Sequence, residues 1–228
     1  MSRATVRYCV RLAGAGAIHP GSGSGGIVDR RVTREAGRPL VPGSHVRGVV
    51  RWQLERICRG LGIEAADPFD ADATGTGQSA SADRGGDDPV ARLFGAGTDD
   101  ELTVFTDLRE SAEPPGSTED TVVSARARVA IDRRRGTQAP GRLYDLETWE
   151  PRRELSGECR VFAPDAKECE NRTGWLIVGL RAVTGFGGSR SSGLGRCAIE
   201  VCSVEIDGQS RDWQDLVRNA VAGREDAR

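Results

Sequence analysis

Residues 185–195 read GFGGSRSSGLG, a stretch of eleven residues with five glycines, three serines and one arginine. Glycine amides can approach a phosphate closely because no side chain stands in the way. Serine hydroxyls and arginine charges add further donors for an anion. An ordinary flexible linker is the alternative, and the composition favours phosphate binding over it. The predicted contacts come from Gly187, Gly188, Ser189, Arg190, Ser191 and Arg196.

The surroundings of this glycine-rich loop decide between two folds. A dinucleotide-binding fingerprint needs its glycines after a strand and before a helix. Here Cys169, Leu176 and Leu180 follow helical spacing before the loop. Residues 197–206 form a long apolar strand after it. The loop therefore follows a helix and precedes a strand, which excludes the dinucleotide-binding arrangement.

Two elements are indicated near the N-terminus. Residues 5–12 alternate between apolar and polar side chains, as a half-buried strand does. Residues 44–59 carry apolar side chains at helical spacing, and Ser44 after Pro42 is a natural N-cap. The polar face of this helix lets Glu55 pair with both neighbouring arginines, which are Arg51 and Arg59.

The N-terminus of this helix suits an anion. Its first amides are free and carry a partial positive charge, so a phosphate would bind there without sequence readout. A simple solubility role for the arginines on the polar face stays open. The residues predicted to contact phosphate are Ser44, His45, Arg47 and Arg51.

The order of elements is strand, helix, strands, helix, strand, followed by a short amphipathic helix. This order predicts an α+β fold with a ferredoxin-like, RNA-recognition-motif-like sheet and two helices on one face. One domain accounts for residues 1–228. Residues 13–26 are rich in Gly, Ala and Ser and predict a flexible loop. Residues 64–100 hold nine acidic and two basic residues, and residues 64–92 are predicted to be a flexible insertion.

Bulk composition restricts the function classes only weakly. The net charge of −2 gives no sign of a nucleic-acid binder by itself. Of 32 basic residues all but Lys167 are arginines, which suit phosphate, although a GC-rich genome explains the ratio better. Six cysteines without a CxxC pair and only two histidines argue against structural zinc. With no signal segment or membrane-spanning run, we expect a cytoplasmic protein with reduced thiols.

Four stretches together resemble one protein family. Residues 40–48 (LVPGSHVRG) resemble the "PGS-x-x-(K/R)-G" entry to the first helix of RAMP proteins, and residues 187–195 resemble their C-terminal glycine-rich loop. Residues 93–95 (LFG) resemble the short segment before a central strand. Residues 128–147 are similar to the Cas-seven-like backbone subunit of Csm-type type III CRISPR effector complexes. Any one motif is weak, but four in consistent order are fairly specific.

The resemblance implies partners and a projecting hairpin. Members of this group stack copies of themselves along a guide RNA, beside other effector subunits, and a hairpin called the thumb kinks the duplex of guide and single-stranded target. Residues 121–142 hold six arginines and one acid and predict an extended arm or hairpin that fits this thumb. The inserted thumb is assigned to residues 109–157. A solvated basic hairpin is an equal alternative to RNA contacts from Arg126, Arg128 and Arg133.

The resemblance also implies chemistry at one aspartate. Related subunits cleave target RNA with an aspartate between the first strand and first helix, and Asp29 matches, thirteen residues before Pro42. A carboxylate there would hold a divalent ion, Mg²⁺ or Mn²⁺, beside the scissile phosphate. A plain loop residue is the alternative at this position. Three other functions stay open: a non-catalytic RAMP subunit, a guide-processing ribonuclease that uses His19, and an unrelated nucleotide-binding enzyme.

Overall fold

The computed structural model describes ten strands and four helices. Six strands form the central sheet, and the other four form two separate pairs, β2 with β3 and β6 with β7. The structure describes residues 1–13, 17–20, 28–63, 65, 88–95, 102–111 and 122–222. The strands are β1 (Ser2–Leu12), β2 (Arg34–Glu35), β3 (Arg38–Pro39), β4 (Thr103–Phe105), β5 (Arg109–Glu110), β6 (Val122–Asp132), β7 (Thr137–Glu150), β8 (Leu155–Ala163), β9 (Cys197–Ile206) and β10 (Gln209–Ser210). The helices are α1 (Gly43–Gly60), α2 (Pro89–Phe94), α3 (Ala166–Arg181) and α4 (Trp213–Ala222), with a 3-10 turn at Arg190–Ser192.

The central sheet has the predicted ferredoxin-like order. Strands β9, β1, β8 and β4 lie side by side, and each neighbouring pair is antiparallel. When these four strands are numbered in chain order, their order across the sheet is fourth, first, third, second. This is the arrangement of a ferredoxin-like sheet. Alternation along β1 explains its central place, because Val6, Tyr8 and Val10 are buried while Arg7 and Arg11 are exposed. The predicted fold class is therefore confirmed.

Helices α1 and α3 pack together, and α3 covers the sheet through β1, β8 and β9. Close packing depends on two glycines of α3. A Cβ at Gly179 would lie 3.1 Å from a methyl of Val50 in α1, and a Cβ at Gly174 would collide with Leu216 in α4. Small residues at these positions allow the helices to approach. Within the described ranges, no helix combines the length and apolar character that a bilayer crossing requires.

Two local expectations are wrong in detail. Helix α1 begins at Gly43 with Pro42 as its cap residue, so Ser44 is not the N-cap. The Gly43 amide instead donates to Asp107 Oδ1 at 2.9 Å, and a Cβ at Gly43 would collide with the Phe105 carbonyl, so the turn needs glycine. The predicted loop at 13–26 contains a buried stretch at residues 17–20. Residues 14–16 and 21–27 lie outside the described residues.

The end of the predicted flexible insertion is also folded. Asp88 caps α2 by accepting a hydrogen bond from the Val90 amide at 2.8 Å, and Val90, Leu93 and Phe94 are buried. Apolar burial therefore places this helix in the core, against the prediction of flexibility through residue 92. Most of that prediction, residues 66–87, lies outside the described residues.

A long hairpin is inserted between β5 and β8. Strands β6 and β7 pair antiparallel from Val122 opposite Glu150 to Asp132 opposite Thr137, and residues 133–136 form the turn. The extended arm or hairpin predicted at residues 121–142 is thus a hairpin, and its second strand runs eight residues further. Its distal part carries exposed apolar side chains, including Ile131 and Leu143 at 56% and 63% exposure.

Candidate nucleic-acid interface

The glycine-rich loop lies directly against the N-terminus of α1. The Gly187 amide donates to Nε2 of His45 at 2.9 Å, and the rings of His45 and Phe186 are 6.3 Å apart. Burial lowers the pKa of His45, and the nearby Arg190 guanidinium lowers it further, so the neutral ring that this bond requires is favoured. Two segments that sequence patterns identified separately as phosphate sites therefore form one surface.

Backbone geometry at the start of α1 leaves a donor for an anion. The His45 and Val46 amides donate to the Pro42 carbonyl, and Asp107 occupies the Gly43 amide. Among the described residues, the Ser44 amide meets no acceptor. A phosphate at this end of α1 would thus contact Ser44 while remaining near the carboxylate of Asp107.

The glycine-rich loop is a built structure and not a linker. The Phe186 amide donates to the Gly195 carbonyl at 2.9 Å and closes the loop at its base. Its backbone has positive φ at Gly187, Gly193 and Gly195, and also at Ser189, where a side chain normally disfavours that region. The linker interpretation is therefore wrong for this segment. Ser191 and Arg196 are exposed on it, as are Gly188 and Arg190.

The buried stretch at residues 17–20 connects this loop to the base of the hairpin. Ile18 exchanges two backbone hydrogen bonds with Trp149, at 2.8 and 2.7 Å. The His19 carbonyl accepts the Gly188 amide at 3.0 Å, and the His19 ring contacts the Glu147 carbonyl through Nδ1 at 2.8 Å. Burial lowers the pKa of His19, despite the raising effect of that backbone bond. His19 is only 3% exposed and links the loop to the hairpin. This burial disfavours a role for His19 as a general acid or base on an RNA substrate.

Asp29 lies against the middle of hairpin strand β7, on an exposed segment. Its Oδ2 accepts the Asp145 amide at 2.9 Å. Arg30 continues the contact, because its amide donates to the Asp145 carbonyl at 3.1 Å and its carbonyl accepts the Glu147 amide at 2.9 Å. The segment that carries Asp29 therefore runs along β7 like a short additional strand. The Arg30 guanidinium also lies over the Tyr144 ring at 5.3 Å.

Glu147 fixes this segment, although sequence patterns did not single it out. Its Oε2 accepts both the Val32 amide and the Arg34 side chain at 2.9 Å. Burial raises the pKa of Glu147, but these hydrogen bonds and the charges of Arg34 and Arg31 together lower it below its usual value. The sequence offers one indication of this role. Asp145 and Glu147 are two residues apart, so in a strand they lie on the same face.

The arginines predicted on α1 make contacts within the protein. Arg47 donates to the Phe94 carbonyl at 2.8 Å and lies over the Phe94 ring at 5.5 Å, so it joins α1 to α2. Arg51 pairs with Glu55 at 2.9 Å, and Arg59 pairs with the same carboxylate at 3.6 Å. The predicted double pairing of Glu55 is confirmed. Neither Arg47 nor Arg51 projects freely toward the glycine-rich loop.

The hairpin presents its arginines more openly. Arg126 pairs with Glu150 at 2.8 Å, near the base. Arg133 is exposed in the turn, and Arg128 has no ion pair with any residue that the structure describes. The arginines without a described ion pair therefore extend from Arg128, which lies opposite Tyr144 and close to the contact between Asp29 and Asp145, to Arg133 in the turn.

Asp29 could bind a divalent ion only as a single carboxylate ligand. One carboxylate oxygen is used by the Asp145 amide, which leaves the other for a ligand. Among the described residues, no cluster of three or more His, Cys, Asp or Glu side chains provides a complete cage. Mg²⁺ often uses one or two carboxylates together with water and substrate phosphate, which matches an exposed lone carboxylate.

Two comparisons with known proteins bear on the family of this chain. No curated protein matches the chain. A family model described as the RAMP superfamily matches residues 14–198, which is most of the chain and includes α1, the hairpin and the glycine-rich loop. The chain therefore belongs to the RAMP superfamily.

Proposed function

We propose that this protein is a guide-RNA-binding backbone subunit of a type III CRISPR effector complex and that it cleaves bound target RNA. Membership of the RAMP superfamily indicates a CRISPR-associated RNA-binding protein. The observation that carries the proposal is the bond between Gly187 and His45, because it joins the glycine-rich loop to the start of α1 as one surface. Backbone amides on such a surface hold phosphates and leave sequence recognition to base pairing.

The guide strand would follow the loop and α1, and the target would lie near the hairpin. The Gly187 and Gly188 amides already donate to His45 and to the His19 carbonyl, so the guide backbone would be contacted by the exposed residues Ser44, Ser191 and Arg196. The hairpin arginines would contact the target or a neighbouring copy. Arg128 and Arg133 are suited to this because neither is neutralised by a described carboxylate. Copies of this chain along one guide would repeat the site at regular steps, in company with the other effector subunits.

Asp29 is the proposed catalytic residue. The 2′-hydroxyl gives its proton to water, and its oxygen attacks the adjacent phosphorus to form a 2′,3′-cyclic phosphate. The bond to the 5′-oxygen breaks, and that oxygen leaves with a proton taken from water. Asp29 beside β7 would orient the 2′-hydroxyl, and its free oxygen would hold Mg²⁺ or Mn²⁺. A bound divalent ion supplies charge stabilisation at the phosphate. Arg30 and Arg31 follow on the same segment and would place positive charge beside it, whereas Arg34 is already paired with Glu147.

The test compares two variants of Asp29 in the complex assembled by co-expression with the neighbouring genes. Asp29→Asn keeps an oxygen that accepts the Asp145 amide but removes the charge, whereas Asp29→Ala removes both. We expect both variants to copurify with guide RNA and to lose target cleavage by about 100-fold or more, the scale of an essential acid–base or charge-stabilising group. Cleavage at the wild-type rate by Asp29→Asn would exclude Asp29 as the catalytic group.

A non-catalytic structural subunit is the second candidate. The hydrogen bond from the Asp145 amide to Asp29 supports it, because this bond gives the carboxylate a structural role without any chemistry. In that case neither the wild-type complex nor the variants would cleave target RNA when Mg²⁺ or Mn²⁺ is added. The sequencing of copurified RNA would still identify guides.

A further inference from the structure

Trp52 stands apart from the other aromatic side chains. It is 44% exposed on α1, and no other Phe, Tyr or Trp among the described residues is as exposed. Trp149 and Trp175 are buried at 1% and 3% exposure. A single exposed apolar side chain is ordinary on a protein surface. The surroundings of Trp52 give it a more specific meaning.

Two guanidinium groups flank the Trp52 indole. The Arg56 guanidinium carbon lies 4.7 Å from the ring centroid, and that of Arg190 lies 5.8 Å from it. Arg56 comes from the next turn of α1, but Arg190 comes from the 3-10 turn of the glycine-rich loop. The indole is therefore the point at which the exposed face of α1 meets the loop. Cation–π attraction holds the two together.

An open lane leads from the start of α1 to this indole. Ser44, Gly48 and Trp52 are all exposed and are spaced four residues apart, so they lie on one helix face. A Cβ at Gly48 would meet nothing within 4 Å, which leaves the surface between the other two side chains clear. Ser44 and Trp52 are separated by about 12 Å along the axis, at about 1.5 Å per residue.

We propose that Trp52 and Arg190 form a stacking clamp for an unpaired base of the bound RNA. The inference rests on the proposed function and adds a base contact to a surface so far described only by phosphate contacts. A strand with a phosphate at Ser44 crosses Gly48 and places a base on the indole, with the guanidinium plane as its cover. Every base has a π face, so the clamp holds the strand without reading sequence.

The charge around Trp52 favours RNA over a protein partner. Arg56 and Arg190 surround the indole with positive charge, and the nearest acid on the helix, Glu55, is already paired with Arg51 and Arg59. A polyanion complements this surface. Contact with a second copy of the chain is the competing outcome, and the experiment distinguishes the two.

The experiment uses the purified full chain and two probes. One is a short unstructured single-stranded RNA, and the other is an abasic ribose-phosphate of the same length. Trp52→Ala is expected to bind the RNA about tenfold more weakly, equivalent to ~1.4 kcal/mol, and to bind the abasic probe as wild type does. Trp52→Phe is expected to recover most of the affinity. Because the chain has four tryptophans, the fluorescence of Trp52 is taken as the difference between wild type and Trp52→Phe. It is expected to be quenched by the RNA and not by the abasic probe.

Trp213 supplies the matched control. The guanidinium carbon of Arg181 lies 5.2 Å from its ring centroid, so it forms a similar pair on another helix, and Trp213→Phe is expected to leave both affinities unchanged. Equal weakening toward both probes by Trp52→Ala would overturn the clamp, as would unchanged RNA affinity with altered self-association in sedimentation. If wild type binds the RNA but Trp52 is not quenched, only the clamp fails. If wild type binds neither probe, the proposed function fails with it.

Discussion

At the scale of single residues, two glycines of the loop differ in what a side chain would meet. A side chain at either position strains the backbone, but only at Gly187 does it also collide with a neighbour. Gly187 and Gly193 both have positive φ, at +80° and +87°. A Cβ at Gly187 would lie 2.5 Å from the His19 carbonyl, whereas a Cβ at Gly193 would meet nothing within 4 Å. Gly193→Ala is expected to cost ~1–2 kcal/mol of unfolding free energy, and Gly187→Ala a further ~1–3 kcal/mol, by urea denaturation.

The RNA affinity of the folded variants should follow the same order. Gly187→Ala separates the loop from His19 and His45 and should weaken binding of single-stranded RNA, while Gly193→Ala should leave it nearly unchanged. Equal losses of stability in the two variants would show that the contact with His19 contributes nothing. The sequence predicted glycines at a phosphate site, but it gave no sign that Gly187 lies against residue 19, since that contact depends on the tertiary fold.

At the scale of elements, the bond between α1 and the glycine-rich loop depends on pH. The Gly187 amide needs an unprotonated Nε2 on His45, and the pKa of His45 is lowered in the folded protein. Between the ordinary pKa of about 6.5 and the lower folded value, the unfolded chain binds more protons than the folded chain. Stability should therefore be complete above about pH 6.5 and fall as the pH is lowered, which thermal unfolding across this range measures.

His45→Gln is the control for this titration. Its amide oxygen accepts the same bond at every pH, so the loss of stability in acid should become smaller. A remaining dependence is expected from His19, whose pKa is also lowered by burial. An unchanged acid dependence in His45→Gln would exclude the bond as its source. RNA binding is expected to weaken over the same range as the loop leaves α1.

Element boundaries show what the sequence could and could not predict. Periodicity predicts strand β1 and helices α1 and α3, because a long amphipathic pattern indicates both the type of element and the face that is buried. Residues 89–92 of helix α2 fall in the predicted flexible insertion, because a helix of six residues next to an acidic stretch carries too little periodicity. Residues 17–20 were assigned to a loop, because pairing with Trp149 is not encoded nearby in the chain.

At the scale of the whole molecule, the net charge does not show which arginines are free to bind a phosphate. The chain has 32 basic and 34 acidic residues, and many arginines are already paired. On the sheet, Arg11 pairs with Glu154 and Glu200 at 2.6 and 3.2 Å. On the hairpin, Arg128 has no partner among the described carboxylates. Net charge therefore underestimates the attraction of this protein for RNA.

This difference predicts the salt dependence of RNA binding. Each phosphate neutralised on a single strand contributes about −0.7 to the slope of log affinity against log salt. Arg128→Gln should make the slope about 0.7 less steep and lower the affinity. Arg11→Gln should leave the slope unchanged because its charge is already neutralised. Fluorescence anisotropy over a range of NaCl concentrations measures both, and equal effects of the two substitutions would contradict the assignment.

The contacts that assemble this surface join distant parts of the chain. Gly187 and His45 are 142 residues apart, and Asp29 and Asp145 are 116 apart. Synthesis releases the N-terminal partner of each pair first, and the folding of non-local contacts waits for the second. The surface is therefore completed only after residue 187 has left the ribosome. A nascent chain that lacks this residue cannot form the joined surface on which the proposed RNA binding depends.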